Sequence, residues 1–260
     1  MTTDNAPVRF EKLGQIAYIT LDRPHVLNAI STGLRTSLRD ILLEFRDDKD
    51  LLVAIVSGEG GRAFSAGADL KERNVAEKDG VAHNIPIWPF RSINLWKPVI
   101  AAIDGYCLGG GLELALQCDI RIATQKSALG LPEPRNAGGL ANFGLLYLSR
   151  TIALGEALYM QLTGTHIDAD RAYRIGLIQS VVPDRDALFE EADRIAQEIL
   201  LCSPLAIQYI KQAVSQTRDL PLEFAAKLAE PLQEAILRTE DRKEAAGAFV
   251  EKRRPQWKMR

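Results

Sequence analysis

The chain has 260 residues, of which 47% are hydrophobic and 25% are charged, so it can bury a large core as one domain, with or without a small terminal appendage. Its formal net charge of -2 gives no electrostatic reason to expect nucleic acid or an anionic membrane as the main partner. A polyanionic ligand would therefore need local basic residues.

The cysteines and the first residues of the chain both give an expectation for the cellular compartment of the protein. Cys107, Cys118 and Cys202 are odd in number, widely spaced and surrounded by apolar sequence, which favours buried thiols in a reducing compartment over disulfides. The first ten residues lack the basic and apolar regions of a signal peptide, and no stretch of 18 apolar residues occurs. We therefore expect a cytoplasmic protein that has no membrane partner.

Short β-branched runs alternate with longer helical patterns, which predicts an α/β fold. Strands are predicted at residues 15–21, 51–56 and 99–103, and a helix at 31–45. In that helix, apolar residues recur every three or four positions, and Ser31 is placed to act as the N-cap. We expect the helix to cover a sheet rather than to carry chemistry.

The character of the sequence changes after about residue 184, where strand signals cease. Helices are predicted at residues 186–201, 204–214, 222–237 and 241–251. Ser203 before Pro204 has the form of an N-cap followed by proline at the first helical position. Asp219, ahead of Pro221, marks another expected helix start.

A stretch rich in glycine and alanine, residues 58–69, follows an apolar strand and precedes polar residues. Its small side chains would leave the amides of Ala68 and its neighbours unobstructed, as a developing negative oxygen requires of its donors. A flexible turn between a strand and a helix would have the same composition. The stretch alone does not decide between these interpretations.

Residues 99–119 combine a buried strand, three consecutive glycines and an apolar helix. The N-terminal amides of that helix, near residues 109–111, could bind an oxyanion, and Glu113 lies in its first turn. A first-turn glutamate can also serve only to offset the helix dipole, so Glu113 alone is an ambiguous signal.

Glu133 lies between Pro132 and Pro134, after an apolar segment. Proline restricts the backbone of its neighbours, so this carboxylate is presented from a stiff turn. Exposed loop glutamates are common, and Glu133 taken alone is a weak indication of function.

Together these stretches resemble the crotonase (enoyl-CoA hydratase/isomerase) family over nearly the whole chain and with similar spacing. The matching motifs are residues 21–30 (LDRPHVLNAI), 63–69 (AFSAGAD), 109–113 (GGGLE), 132–133 (PE), 203–206 (SPLA) and 249–257 (FVEKRRPQW). Asp22 stands where the family signature has asparagine.

The resemblance implies a crotonase (ClpP/crotonase-like) fold, in which repeated ββα units form a spiral core. It divides the chain into that core with the active site, residues 1–183, and a C-terminal helical region, residues 184–260, which serves oligomerisation and part of the coenzyme A site. The expected assembly is a homotrimer or a homohexamer. The expected substrate is an acyl-CoA, with coenzyme A as part of the substrate and no separate cofactor.

Carried over by position, the resemblance implies that the backbone amides of Ala68 and Gly110 form an oxyanion hole around the thioester oxygen. Glu113 and Glu133 match the two carboxylates of the hydratase subgroup. We assign the α-carbon proton to Glu133 and the attacking water mainly to Glu113. Two nearby acids in an apolar cavity tend to share one proton, which suits this division. The expected reaction is reversible addition of water to a 2-enoyl-CoA.

For coenzyme A, the resemblance implies that Ala66 and its neighbours, among them Asp69 and Leu70, line the adenine pocket. It also implies that Lys252, three residues after Phe249, approaches the phosphates from an adjacent subunit. Without the resemblance, the basic residues around Lys252 would be interpreted as a solvated helix end, because cations favour helix C-termini.

The turn at residues 134–148 departs from the family pattern, because Gly144 is the one residue retained from its usual proline and two glycines. The departure predicts a reshaped acyl pocket, although simple packing explains Phe143 equally well. We assign four residues to this pocket: Trp88, Phe90, Asn136 and Phe143.

Other chemistries find little support. The histidines at 25, 83 and 166 lack zinc spacing, so no metal is expected. The glycines at 109–111 do not form a dinucleotide fingerprint, and no serine-hydrolase elbow occurs. The family reuses one oxyanion hole for several thioester reactions, so an isomerase, hydrolase or decarboxylase is an alternative. A noncatalytic or RNA-binding member is more distant, since both glutamates are present.

Overall fold

The computed structural model describes residues 6–78, 90–136 and 142–260. The strands are β1 (Val8–Leu13), β2 (Ile16–Leu21), β3 (Val53–Gly58), β4 (Ala63–Ser65), β5 (Val99–Ile103), β6 (Tyr106–Leu108), β7 (Ile120–Thr124), β8 (Ala128–Gly130), β9 (Ile167–Asp168) and β10 (Ser180–Val182). The α-helices are α1 (Thr32–Asp47), α2 (Leu70–Lys78), α3 (Gly110–Gln117), α4 (Asn142–Thr151), α5 (Leu154–Thr163), α6 (Ala169–Arg174), α7 (Arg185–Leu200), α8 (Pro204–Thr217), α9 (Leu222–Leu237) and α10 (Glu240–Glu251). Short 3-10 turns lie at Pro24–Val26, Phe90–Ile93 and Glu133–Asn136.

The larger sheet has six strands in the order β1-β2-β3-β5-β7-β10. β1 and β2 pair antiparallel, and the other neighbours run parallel, which requires crossover connections. Both faces are covered, as is usual for parallel sheets. Along β3, Val53 and Ile55 join an apolar cluster with α7, whereas Ala54 and Val56 join the main core with α1. The predicted α/β class is therefore confirmed.

The smaller sheet has the order β4-β6-β8-β9. β4, β6 and β8 run parallel, and β9 pairs antiparallel with β8. β4 precedes the loop that leads to α2, and β6 leads directly into α3, so this sheet positions both glycine-rich stretches. These strands could not be predicted from the sequence, because two or three residues are too few to show alternation.

The longer predicted elements are confirmed, with ends that shift by no more than three residues. Ser31 caps α1 by accepting a hydrogen bond from the amide of Leu34 (3.1 Å), and Ser203 caps α8 in the same way. α9 begins at Leu222, as predicted, but Asp219 does not cap it, since Pro221 is the N-cap residue and no side chain caps the helix. Asp219 instead contacts arginine side chains.

Four helices, α7 to α10, follow the last strand. α8 and α9 pack against each other and leave several large apolar side chains exposed, including Ile210, Val214, Phe224 and Leu228. Division of the chain at residue 184 stays a prediction. Within the described ranges, every helix is too short or too polar to span a membrane.

Candidate active site

Glu113 and Glu133 are brought to one edge of the smaller sheet. Glu113 lies in the first turn of α3, directly after β6, and Glu133 begins the 3-10 turn after β8. β6 and β8 are parallel neighbours, so their carboxyl ends meet at the same edge. The amide of Gly109 donates to the carbonyl oxygen of Gly130 (2.9 Å), which ties the two chain segments together.

The carboxyl group of Glu113 is buried, with 6% of the residue exposed. Its Oε1 accepts a hydrogen bond from the amide of Gly144 in α4 (2.9 Å). A Cβ on Gly144 would lie 3.0 Å from Cγ of Glu113 and 3.1 Å from Cδ2 of Leu131, so a larger residue would force these side chains to shift. Burial raises the pKa of Glu113, and the amides of Gly144 and Phe143 partly oppose that rise by favouring the carboxylate.

Glu133 has fewer donors. Its Oε2 is buried and has no hydrogen-bond partner among the described residues. Its Oε1 lies 2.9 Å from the position that a Cβ on Gly109 would occupy, so glycine at the start of α3 leaves space for this carboxyl group. Burial raises the pKa of Glu133, its own amide lowers it, and the charge of Glu113 raises it further. The two acids therefore interact, and ionising both at once is unfavourable.

The two stretches expected to supply amides lie against each other. Gly67 has a φ of +93°, and a Cβ on it would lie 2.8 Å from the carbonyl oxygen of Leu108 and 3.2 Å from the nitrogen of Gly110. Glycine permits both the backbone angle and the close approach. Gly110 begins α3, so its amide has no acceptor within the helix. The amide of Ala68 donates to no acceptor within the described ranges. Both amides are available to a ligand oxygen.

The residues assigned to the adenine pocket lie on the loop before α2 and at its start. The amide of Ala66 donates a hydrogen bond to the carbonyl oxygen of Leu27 (3.0 Å). Leu70 is 60% exposed. Asp69 pairs with Arg23 (3.0 Å) and accepts from the amide of Lys71 (3.2 Å). Its carboxylate therefore has a structural role in holding this loop, whatever part it plays in ligand binding.

Phe249 and Lys252 lie at the end of α10, whereas the two glutamates lie in α3 and in the 3-10 turn after β8. Among the described residues, Lys252 lines a cavity of about 710 Å³ with Leu201 and Trp257, and neither glutamate borders it. Phe249 is 83% exposed. A single chain does not bring these two residues to the glutamate site, and their expected action on an adjacent subunit stays a prediction.

Two of the four residues assigned to the acyl pocket line one cavity. Phe90 and Phe143 both border a space of about 490 Å³. Trp88 lies outside the described residues, and Asn136 is described only as the last residue of the turn that Glu133 begins. The assignment of Phe90 and Phe143 to a common pocket is therefore compatible with the structure.

Sequence reasoning missed the roles of Gly144 and Gln117. The available signal for Gly144 was a glycine inside a helical pattern, which usually has a packing or functional reason. Gln117 lies one turn after Glu113 on α3, where its Nε2 donates to the carbonyl oxygen of Glu113 (3.3 Å) and its Oε1 accepts from the amide of Phe90 (3.0 Å). No pattern in the sequence indicated that second contact, because the two partners are distant in the chain.

Known proteins resemble this chain along almost its whole length. A family model for enoyl-CoA hydratase/isomerase matches residues 11–260. An (E)-benzylidenesuccinyl-CoA hydratase of Thauera aromatica is 38% identical over 253 residues, which cover 96% of this chain and 98% of the relative. A short-chain-enoyl-CoA hydratase of Clostridium acetobutylicum is 37% identical over 95% of each chain. The crystal structure of an enoyl-CoA hydratase from Bacillus anthracis has a TM-score of 0.90 at 34% identity, covering 98% of this chain and 100% of that one.

Fold and site together define an enzyme of the crotonase fold, in which glycine-rich segments hold two buried carboxyl groups beside available amides. The chain belongs to the enoyl-CoA hydratase/isomerase family. The family and fold expected from the sequence motifs are thus confirmed, and at the level of the family the function is of the enoyl-CoA hydratase type.

Proposed function

We propose that this enzyme adds water reversibly to 2-enoyl-CoA thioesters, with Glu113 and Glu133 managing the protons. The unequal hydrogen bonding of the two buried carboxyl groups carries the proposal. Amides donate to Glu113 and favour its carboxylate, whereas Oε2 of Glu133 lacks a donor among the described residues, which favours the acid. The pair then holds one proton, and that proton is on Glu133.

This protonation state suits hydration. Glu113 accepts a proton from water as the water oxygen bonds to the β-carbon. The π electrons of the enoyl group move to the thioester oxygen, where the amides of Ala68 and Gly110 donate to the resulting enolate; each such donor contributes about 3 kcal/mol in comparable sites. The enolate collapses as Glu133 gives its proton to the α-carbon. One water molecule has been added, and transfer of the proton from Glu113 to Glu133 resets the pair.

Two relatives named as hydratases support water as the reagent. Their names specify different acyl groups, benzylidenesuccinyl in one and short-chain enoyl in the other, so they leave the acyl group of this enzyme open. Coenzyme A enters as part of the substrate, and the proposed mechanism uses no separate cofactor.

Crotonyl-CoA provides the direct test. Incubation with the enzyme should lower the absorbance of the conjugated enoyl group, and mass spectrometry should show a product heavier by one water molecule. An isomerase would move the double bond without a mass change, and a hydrolase would release free coenzyme A. Either product, without hydration of any enoyl-CoA in a broad panel, would overturn the proposal.

The proposed assembly is a homotrimer or a homohexamer in which Lys252 of one chain reaches the coenzyme A bound by its neighbour. The high exposure of Phe249 and Val250, at 83% and 79%, supports an interface at the end of α10. Analytical ultracentrifugation distinguishes monomer, trimer and hexamer, and a monomer at working concentration would contradict this part of the proposal.

A further inference from the structure

A mixed apolar and charged cavity of about 490 Å³ lies beside the proposed site. It is bordered by the 3-10 turn Phe90–Ile93 and by α3, α4 and α8. This volume falls within the range of pockets that hold small organic ligands. The proposed hydration uses the glutamates and amides but leaves the selectivity of this cavity unexplained.

The cavity adjoins Glu113 through two contacts. Gln117, which borders the cavity, lies one helical turn after Glu113 and bonds to its carbonyl oxygen. Phe143, which also borders it, immediately precedes Gly144, the residue whose amide holds the Glu113 carboxyl group. These contacts place the cavity next to Glu113, and neither Glu113 nor Glu133 is among the residues that border it.

The apolar part of the lining suits an aromatic ring. Its members are large apolar side chains: Phe90, Leu95, Trp96, Phe143, Leu146 and Tyr147. The rings of Phe143 and Tyr147 pack edge to face, with centroids 6.2 Å apart and planes at 63°. Aromatic side chains accept further rings in such offset and edge-to-face arrangements.

The outer rim carries an excess of positive charge. Nε of Arg150 lies 3.2 Å from Oδ2 of Asp219, and Nε of Arg218 lies 3.9 Å from Oδ1 of the same carboxylate. Two guanidinium groups thus share one carboxylate, which leaves this triad with a charge of about +1. Lys211 adds no net charge, because its Nζ pairs with Asp119 (2.7 Å). Arg150 also donates from Nη1 to the carbonyl oxygen of Leu146 (3.1 Å), and Arg218 donates from Nη2 to that of Arg150, but each guanidinium has five N–H donors and so retains others for a ligand.

We propose that this cavity selects acyl groups with an apolar, ring-bearing body that ends in a carboxylate, which Arg150 and Arg218 recognise at the rim. Planar guanidinium groups bind carboxylates in preference to neutral groups of the same shape. This inference rests on the proposed hydration, because it concerns the acyl part of the same substrate.

The test compares two substrates that differ in one charge, 4-carboxycinnamoyl-CoA and its 4-carboxamide, with crotonyl-CoA as the reference substrate. We expect kcat/KM for the carboxylate to exceed that for the carboxamide by roughly tenfold, as one charge-assisted contact at a partly exposed site allows. The dissociation constants of the two saturated 3-arylpropionyl-CoA analogues give the same comparison without turnover.

Substitutions distinguish recognition of the carboxylate from a general structural effect, because they should change the preference for carboxylate over carboxamide in opposite directions. Arg150→Gln and Arg218→Gln should each lower the ratio of carboxylate to carboxamide towards one. Asp219→Asn should raise it, because it removes the competing carboxylate. Arg238→Gln, at an arginine 80% exposed immediately after α9, serves as the matched control and should leave the ratio unchanged.

The possible outcomes are distinguishable. If crotonyl-CoA is hydrated while neither turnover nor binding favours the carboxylate, or if Asp219→Asn fails to raise the ratio, the cavity does not select carboxylates. If no enoyl-CoA is hydrated, the proposed function fails, and the binding comparison still supports or overturns the carboxylate preference.

Discussion

The amide of Gly144 donates a 2.9 Å hydrogen bond to Oε1 of Glu113, across 31 positions of sequence. This contact joins α4 to the first turn of α3 and uses a backbone group, which side-chain substitution at position 144 cannot remove. It can only be displaced by crowding. The geometry of the proposed water-binding carboxylate therefore depends on a residue with no side chain.

Gly144→Ala should lower kcat for crotonyl-CoA by roughly tenfold to a hundredfold, because the new Cβ would press against Glu113 and Leu131 and small misplacements of a catalytic group are costly. Steady-state kinetics measures the loss. Gly155→Ala in α5 is the control, since a Cβ there meets nothing within 4 Å. Equal kcat for Gly144→Ala and the wild type would show that Glu113 and Leu131 accommodate the added methyl group without displacing the catalytic carboxyl group.

The pH profile of kcat/KM should be bell-shaped. The rate should fall as pH falls through the pKa of Glu113, because protonated Glu113 cannot accept a proton from water. It should also fall as pH rises through the pKa of Glu133, because ionised Glu133 cannot donate. Burial raises both pKa values above the ordinary 4.5, so the acid limb should lie above that pH. An acid limb at or below pH 4.5 would contradict the assignment.

Glu133→Gln should abolish exchange of the α-proton of a saturated acyl-CoA with heavy water, because glutamine cannot transfer a proton. Proton NMR in heavy water follows the exchange directly. Tight binding of the same acyl-CoA, measured by calorimetry, shows that the site remains folded. Exchange at the wild-type rate would contradict the proposed role of Glu133 as the residue that transfers the α-proton.

Glu133→Gln should also stabilise the fold at neutral pH. Because folding raises the pKa of Glu133, the native state retains a proton that the unfolded state has lost between the ordinary and the raised pKa, and the free energy of unfolding falls as pH rises through that window. Urea unfolding at pH 7 should show a higher free energy of unfolding for the variant, and this gain should be lost below the ordinary pKa of a glutamate carboxyl group. Glu230→Gln, at an exposed position on α9, should show no such gain.

Arg121→Met should destabilise the protein by about 3 kcal/mol. Arg121 is buried and donates from Nε to the carbonyl oxygen of Leu177 (2.7 Å) and from Nη1 to that of Cys118 (2.7 Å), at the end of α3. Methionine fills the space but leaves both oxygens without these donors. Chemical denaturation measures the loss, and a change below 0.5 kcal/mol, about that of an ordinary surface substitution, would show that these bonds contribute little.

Lys252→Ala should raise KM for an acyl-CoA but not for a truncated thioester that lacks the nucleotide. The proposed reason is loss of a cation beside the coenzyme A phosphates of a neighbouring subunit. Arg238→Ala removes an exposed cation at the C-terminal end of α9 and serves as the control. An equal effect of Lys252→Ala on both substrates would indicate a structural role.

Long periodic segments were predictable because each repeats its signal many times. The apolar spacing of α1 and the β-branched run of β5 identified both elements, and Ser31 identified where α1 begins. The four-stranded sheet was not predictable, since strands as short as β4 carry no period. The family resemblance implied that the two glutamates interact, but their own surroundings in the sequence did not, because the interaction depends on β6 pairing with β8 and on a carboxyl group entering the space left by Gly109.

One eight-residue helix, α3, begins with the amide of Gly110, carries Glu113 in its first turn, presents Gln117 to the proposed acyl cavity and is secured at its far end by Arg121. From Gly111 to Gln117 the helix is wholly buried. An engineer who wishes to change the accepted acyl group cannot mutate this helix without disturbing the chemistry. Residues of α4 and α8 that border the same cavity are better positions for such substitutions. A change there alters the surroundings of the proposed substrate and leaves the reacting groups in place.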